Sequence, residues 1–233
     1  MKRRDILMQL PFYLLVVFIL LGFVHWGNES VTVYYQQQFD ALRHTIVIDP
    51  GHGGIDGGAT SFSGKLESGY NLEIGLRLDD LCHLLGMDTI MTRKTDTSIY
   101  TEGKTIAAQK ISDLKERVRI INEAQNAVLV SIHQNTFAES RYSGAQVFYA
   151  GTVESDLLAK ALQKNIIDTI NPGSTRLSRR CKNVYLMERI DCPGILIECG
   201  FLTNPQEDAL LQDAVYQQKL CCVIAATLLE FIN

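Results

Sequence analysis

Three short apolar runs, each ending at a chemically capable residue, constrain this chain more than anything else in its sequence. Thr45-Ile-Val-Ile-Asp49 runs into Pro50-Gly51-His52-Gly53-Gly54, Ala127-Val-Leu-Val-Ser-Ile132 stops at His133, and Gly194-Ile-Leu-Ile197 stops at Glu198. Runs this short, bounded by glycine or polar residues and apolar nearly throughout, are the pattern of strands covered by helices on both faces. Longer amphipathic stretches separate them, as in an α/β domain. The pattern predicts strands over 45–49, 87–92, 127–132, 144–149, 183–187 and 194–198. It predicts helices over 67–85, 113–125, 153–170 and 213–231, with a short one over 205–211. Leu72, Leu76, Leu81 and Leu85 recur at helical spacing before Gly86, and Asn204-Pro205 places a capping side chain ahead of a first-turn proline. The expected architecture is a three-layer α/β/α sandwich on a mixed, mostly parallel sheet of about six strands. Residues 93–112, rich in Thr, Asp, Gly and Lys, read as an irregular loop at the rim of a groove.

The N-terminus is a separate object. Lys2-Arg3-Arg4 precedes an uncharged run from Ile6 to Trp26, long enough at about 1.5 Å per residue to cross a hydrocarbon core of roughly 30 Å. Phe23-Val-His-Trp-Gly27 offers no small-x-small cleavage pattern, so an uncleaved anchor is favoured over a signal peptide. The basic flank keeps residues 1–5 in the cytoplasm and exports everything beyond the span. The expected organisation is a cytoplasmic N-terminus at 1–5, a transmembrane anchor at 6–26, a polar linker at 27–43 and a catalytic domain at 44–233. A net charge of −4 argues against nucleic acid as a partner. Of six cysteines, Cys82, Cys221 and Cys222 fall within helical apolar patterns and are expected as free thiols; a Cys181–Cys192 bridge is the one disulfide considered.

Ligands of open α/β sheets bind outside the carboxyl ends of the strands. Two imidazoles and a carboxylate at three such ends are therefore read as one site. A catalytic zinc ion takes three protein ligands, and two His with one Glu is a known set; His52, Glu67 and His133 supply it for one zinc per chain. Glu198, at the end of an apolar strand, is expected as the general base, since desolvation raises a carboxyl pKa towards the working pH. Two alternatives stay open on the residues alone. Strand-end histidines also serve as plain hydrogen-bonded structural residues, and Asp49 is a rival carboxylate ligand, although Asp-Pro-Gly more often shapes the turn. His25, His44 and His83 do not fit the ligand pattern.

The segments Asp49-Pro-Gly-His-Gly-Gly-Ile-Asp-Gly-Gly-Ala59, Glu67 with Asn71-Leu72, and Met91-Thr-Arg93 with Asp96 form a set. Leu114-x-x-Arg117, Ser131-Ile-His-Gln-Asn135 and Ile197-Glu-Cys-Gly-Phe-Leu-Thr-Asn204 complete it. With these motifs, residues 44–233 resemble the zinc-dependent N-acetylmuramoyl-L-alanine amidases of bacterial cell walls. The resemblance implies zinc on His52, Glu67 and His133, a catalytic Glu198, peptidoglycan as substrate, and Asn135 and Arg93 as candidate substrate contacts. Ser143-Gly-Ala-Gln-Val-Phe-Tyr-Ala-Gly151 and Tyr185-Leu-Met187, with the single anchor, resemble the membrane-anchored sporulation branch of that family. That branch implies action on spore cortex, where removal of stem peptides precedes muramic-δ-lactam formation. Gln134 departs from a commonly small residue and is expected to narrow the groove; Cys199 is the other departure. The competing readings are a zinc carboxypeptidase or aminopeptidase on a similar sheet, and a catalytically silent wall-binding regulator.

Overall fold

A computed structural model describes residues 43–233, so the anchor predicted at 6–26 and nearly all of the linker at 27–43 lie outside the described residues. Six strands, β1 (Thr45–Pro50), β2 (Asp88–Met91), β3 (Ala127–Asn135), β4 (Gln146–Tyr149), β5 (Arg179–Arg180) and β6 (Gly194–Phe201), form one sheet. Their order is β2-β1-β3-β6-β4-β5. The first four are mutually parallel, β4 runs antiparallel to β6, and β5 runs parallel to β4. Five helices accompany them: α1 (Glu67–Leu84), α2 (Ile106–Glu123), α3 (Val153–Thr169), α4 (Pro205–Gln212) and α5 (Ala214–Ile232).

The strand pleat sorts the core into two halves. Ile46, Ile48, Val128, Val130, Ile132, Ile195 and Ile197 face a layer made of α1, α3 and α5, where Ile74, Leu78, Leu158, Leu162, Leu220 and Ile224 meet them. Val47, Leu129 and Leu196 point the other way, onto Ile121 of α2 and onto Leu186 and Met187. The three-layer sandwich is therefore present, with its second helical layer reduced to α2 and the 184–190 segment. Among the described residues, α5 alone is long and apolar enough to cross a membrane by composition. Its Leu220, Cys221, Ile224, Ala225 and Leu228 are buried in the main core, which explains that composition without a membrane.

Caps follow the chemistry of their residues. Asn204 Oδ1 accepts from the backbone N–H groups of Gln206 and Glu207, with Pro205 in the first turn of α4. Asp213 caps α5 in the same way, and Gly86, at φ 78°, ends α1.

Two expectations need correction. The helix expected from 113 begins at Ile106, capped by Thr105 Oγ1 accepting from Ala108 N. Its inward positions include the polar Ser112 and Arg117 while Ile106 and Ile111 are exposed, so apolar periodicity hides the first two turns. The strand expected over 183–187 is a turn. Asn183 adopts φ 60°, Glu188 N donates to Val184 O, and Glu188 Oε1 accepts from Asn183 N. The strand at that sheet edge is β5, two exposed arginines long. Leu186 and Met187 are buried by packing rather than by strand pairing. All six cysteines are free, Cys181 and Cys192 included; Cys222 is exposed, whereas Cys82 and Cys221 are buried.

Beneath the β1 end lies an ion pair removed from water. Asp49 and Arg117 are 1% and 2% exposed, and Arg117 NH1 donates to Asp49 Oδ1 at 2.6 Å. Thr92 Oγ1 and Ser131 Oγ donate to the same carboxylate at 2.7 and 2.9 Å. Burial alone would raise the Asp49 pKa, but Arg117 and Thr92 outweigh it and hold it below the ordinary value of 3.8. The stability carried by this depressed pKa is complete above that value and is lost as pH falls through the lower folded one. Arg117→Met leaves a buried carboxylate unpaired and is expected to destabilise the fold by about 3–5 kcal/mol. Urea denaturation at neutral pH checks this; a midpoint matching the wild type would refute it.

Candidate metal centre

The first strand leaves the sheet at Pro50 and enters a turn whose backbone is fixed from behind by two arginines. Arg93 Nε and NH2 donate to Pro50 O and Gly51 O, at 2.9 and 3.0 Å. Arg117 NH1 and NH2 donate to Pro50 O and His52 O, at 3.0 and 2.7 Å. This grip holds His52 at φ 61°, a left-handed conformation that non-glycine residues adopt only where surroundings impose it. Further along, Ala59 O and Gly57 O accept from Glu67 N and Ser68 N, so the turn itself caps the start of α1. Glu67 is thereby delivered beside His52 across the glycine-rich turn. Gly58, at φ 67°, sits against that junction: a Cβ there would lie 2.6 Å from Glu67 Oε2.

The third component comes from strand register. Pro50 pairs with Ile132 and His133 pairs with Glu198, so β1, β3 and β6 end side by side. Gly51, just past the end of β1, packs directly against that imidazole: a Cβ on it would lie 2.2 Å from His133 Nε2. A register shift between His133 and Asn135 ends the regular pairing.

The result is a cluster of three donors. His52 Nε2 lies 3.3 Å from Glu67 Oε2, His133 Nδ1 lies 3.1 Å from Glu67 Oε1, and one ligand atom from each residue falls within 4.8 Å of the others. Among the described residues this is the one His/Cys/Asp/Glu group so arranged. Ligand atoms about 2.0–2.2 Å from a tetrahedral ion are about 3.4 Å apart, so the donor set and its spacing fit a zinc-sized cation. Burial would raise the Glu67 pKa, but hydrogen bonds and charges from His133 and His52 outweigh it and hold the carboxyl far below its ordinary range. For His52 the balance is opposite: burial lowers its pKa, and Glu67 and Asp56 raise it. Glu67 also accepts from Ala59 N, Gln134 N and Asn71 Nδ2, which fixes its carboxylate in place.

Glu198 stands beside this cluster with different surroundings. Its Oε2 is buried with no hydrogen-bond partner. Burial is the first cause that raises its pKa; Glu67 raises it further, against the opposing pull of His133 and His52. A carboxylate so placed is equipped to take and return a proton. His52, His133 and Glu198 open onto a cavity of about 450 Å³, also lined by Ile55, Leu114 and Tyr185. Asp49 also borders it, but its oxygens are committed to Arg117, Thr92 and Ser131 rather than to the cluster.

The other residues named from the sequence take varied positions. Arg93 is 3% exposed and grips only backbone carbonyls, with Ser68 O and Thr95 O completing its set, so it supports the turn from behind. Asn135 sits half-buried at the end of β3. Gln134 does not narrow the groove: it is 4% exposed, and its Nε2 donates to Asn71 Oδ1 beneath Glu67. The Cys199 thiol is fully buried. His44 and His83 contact Asn126 O and Thr89 Oγ1, away from the cluster. Sequence reasoning missed the part played by Asp56, which accepts from His52 Nδ1 at 2.9 Å; its position four residues after His52 in a turn was the available signal.

The fold and cluster define a class: an α/β protein with a bis-histidine, one-glutamate cluster that could hold a metal ion and a buried glutamate beside it. The Amidase_3 family profile, described as N-acetylmuramoyl-L-alanine amidase, matches residues 46–230, and the chain belongs to that family. It is 40% identical over 191 residues to the germination-specific N-acetylmuramoyl-L-alanine amidase of Bacillus subtilis (strain 168), covering 81% of this chain and 79% of that protein. The CwlD amidase from Clostridioides difficile, solved in complex with the GerS lipoprotein, is similar in structure, with a TM-score of 0.77 at 37% identity. That match covers 80% of this chain and 97% of the other. The catalytic domain of CwlV from Bacillus (Paenibacillus) polymyxa var. colistinus matches with a TM-score of 0.68 at 28% identity, over 81% of this chain and 97% of that one.

Proposed function

We propose that this protein is a zinc-dependent amidase that hydrolyses the bond between N-acetylmuramic acid and the L-alanine of the stem peptide in peptidoglycan. The observation that carries this reading is the convergence of His52, Glu67 and His133 next to an unpartnered Glu198, in a chain of this family. Zinc held by the first three supplies Lewis acidity, which polarises a carbonyl and acidifies water. Glu198 accepts the proton of the attacking water and delivers it to the amide nitrogen as the C–N bond breaks. Its desolvated setting suits both halves of that transfer, because a raised pKa brings acid and base forms closer in population at working pH. The cavity beside the cluster excludes bulk water from part of the substrate and gives the scissile group a bounded approach.

The same reading extends to place. The basic flank and uncharged span at 6–26 keep the protein on the membrane with residues 44–233 on the outer side, where peptidoglycan lies. Likeness to the germination-specific relative supports spore cortex as the substrate. Deleting the gene is expected to abolish cortex muramic-δ-lactam while vegetative growth stays normal. Normal cortex with unseparated vegetative cells would keep the amidase and refute the spore role, and soluble protein beginning near residue 27 would refute the anchor.

A further inference from the structure

His52 is held through both ring nitrogens. Its Nδ1–H donates to Asp56 Oδ2 at 2.9 Å, leaving Nε2 turned towards Glu67. The other Asp56 oxygen accepts from Lys110 Nζ at 2.7 Å, across 54 positions of sequence. Lys110 lies two turns before Arg117 on α2, and Arg117 grips the carbonyls of Pro50 and His52. One face of α2 therefore holds the ligand turn by its backbone and, through Asp56, by the ligand ring itself. The turn does not need the Asp56 carboxylate to close. Gly53 N donates to Asp56 O at 2.7 Å and Asp56 N to Gly53 O at 3.2 Å, both backbone bonds, while the carboxylate's own turn contact, from Gly58 N, is long at 3.4 Å.

We propose that Asp56 is a positioning residue that fixes the tautomer and ring orientation of His52, and that Lys110 locks Asp56 in that role. This rests on the reading of His52, Glu67 and His133 as metal ligands. A neutral imidazole carries one N–H; giving it to Asp56 through Nδ1 leaves the Nε2 lone pair free for a cation and makes it more basic. Lys110 neutralises the carboxylate's second oxygen, so Asp56 does not turn into the cluster as a competing ligand. Asp56 and Lys110 border the same cavity as the cluster, and in this scheme they act through His52 rather than on the reacting atoms.

The full chain, in detergent, with zinc as the only added ligand, tests this. Nitrogen NMR of the zinc-loaded wild type is expected to show His52 protonated at Nδ1. Competition with a chromogenic chelator is expected to give one zinc per wild-type chain, about 10–100-fold weaker binding for Asp56→Ala, and a smaller loss for Lys110→Met. An Nε2-protonated His52 in the wild type overturns the proposal whether or not any variant folds. So does a folded Asp56→Ala chain with wild-type zinc affinity, and a Lys110→Met chain with wild-type affinity removes the lock. A wild type that binds no zinc at all sinks the metal reading instead, and with it this inference.

Discussion

Glu198→Gln is expected to keep the fold and its zinc while losing about 10²–10⁴-fold in turnover, the usual contribution of a positioned acid–base group. The substitution is nearly isosteric. Glu198 Oε2 has no protein partner, so no hydrogen bond is broken there by exchange for an amide. What disappears is the capacity to accept a proton from water and release it to a leaving nitrogen. Turnover measured alongside metal content separates this role from ligation. If the variant loses zinc, Glu198 is a ligand and the two glutamates exchange roles; turnover within a few-fold of the wild type removes it from the reaction.

The His52→Ala, His133→Ala double variant is expected to lose its zinc altogether. A three-ligand site deprived of both imidazoles retains only Glu67, and a single carboxylate does not hold zinc at ordinary concentrations. The change reaches beyond the metal. Glu67 owes its deeply lowered pKa to His133 and His52 acting against burial, so without them the carboxyl pKa rises. Elemental analysis of purified protein gives the answer, with circular dichroism to establish the fold. Stoichiometric zinc in a folded double variant would disprove the ligand assignment.

The site was legible where local pattern and global role coincide. His133 and Glu198 end apolar strands, and alternation along β3 and β6 puts them on one face with Ser131 and Leu196. Glu67 was legible as the start of an amphipathic helix. The clamps were not legible. Arg93, Arg117 and Lys110 reach the turn that carries His52 across separations of 42 to 67 residues, set by the closure of α2 and of the β2 end onto β1. The motif Leu114-x-x-Arg117 singles out Arg117 by resemblance, but charge and helical spacing alone do not tell it, inside the fold, from Arg119, which pairs with Glu116 and Glu123 in solvent. The first turns of α2 and the false strand at 183–187 share a cause. Apolar pattern reports burial, and here a helix begins with exposed isoleucines while a turn buries Leu186 and Met187.

The central claim is the bond that is cut. Purified peptidoglycan digested by the zinc-loaded protein, with products resolved by mass spectrometry, tests it most directly. Stem peptides carrying a free L-alanine amine, together with glycan strands bearing unsubstituted muramic acid, are the predicted products, and chelation should suppress both. Peptides shortened from their carboxyl ends, with the lactyl–alanine amide intact, would contradict it and identify a carboxypeptidase.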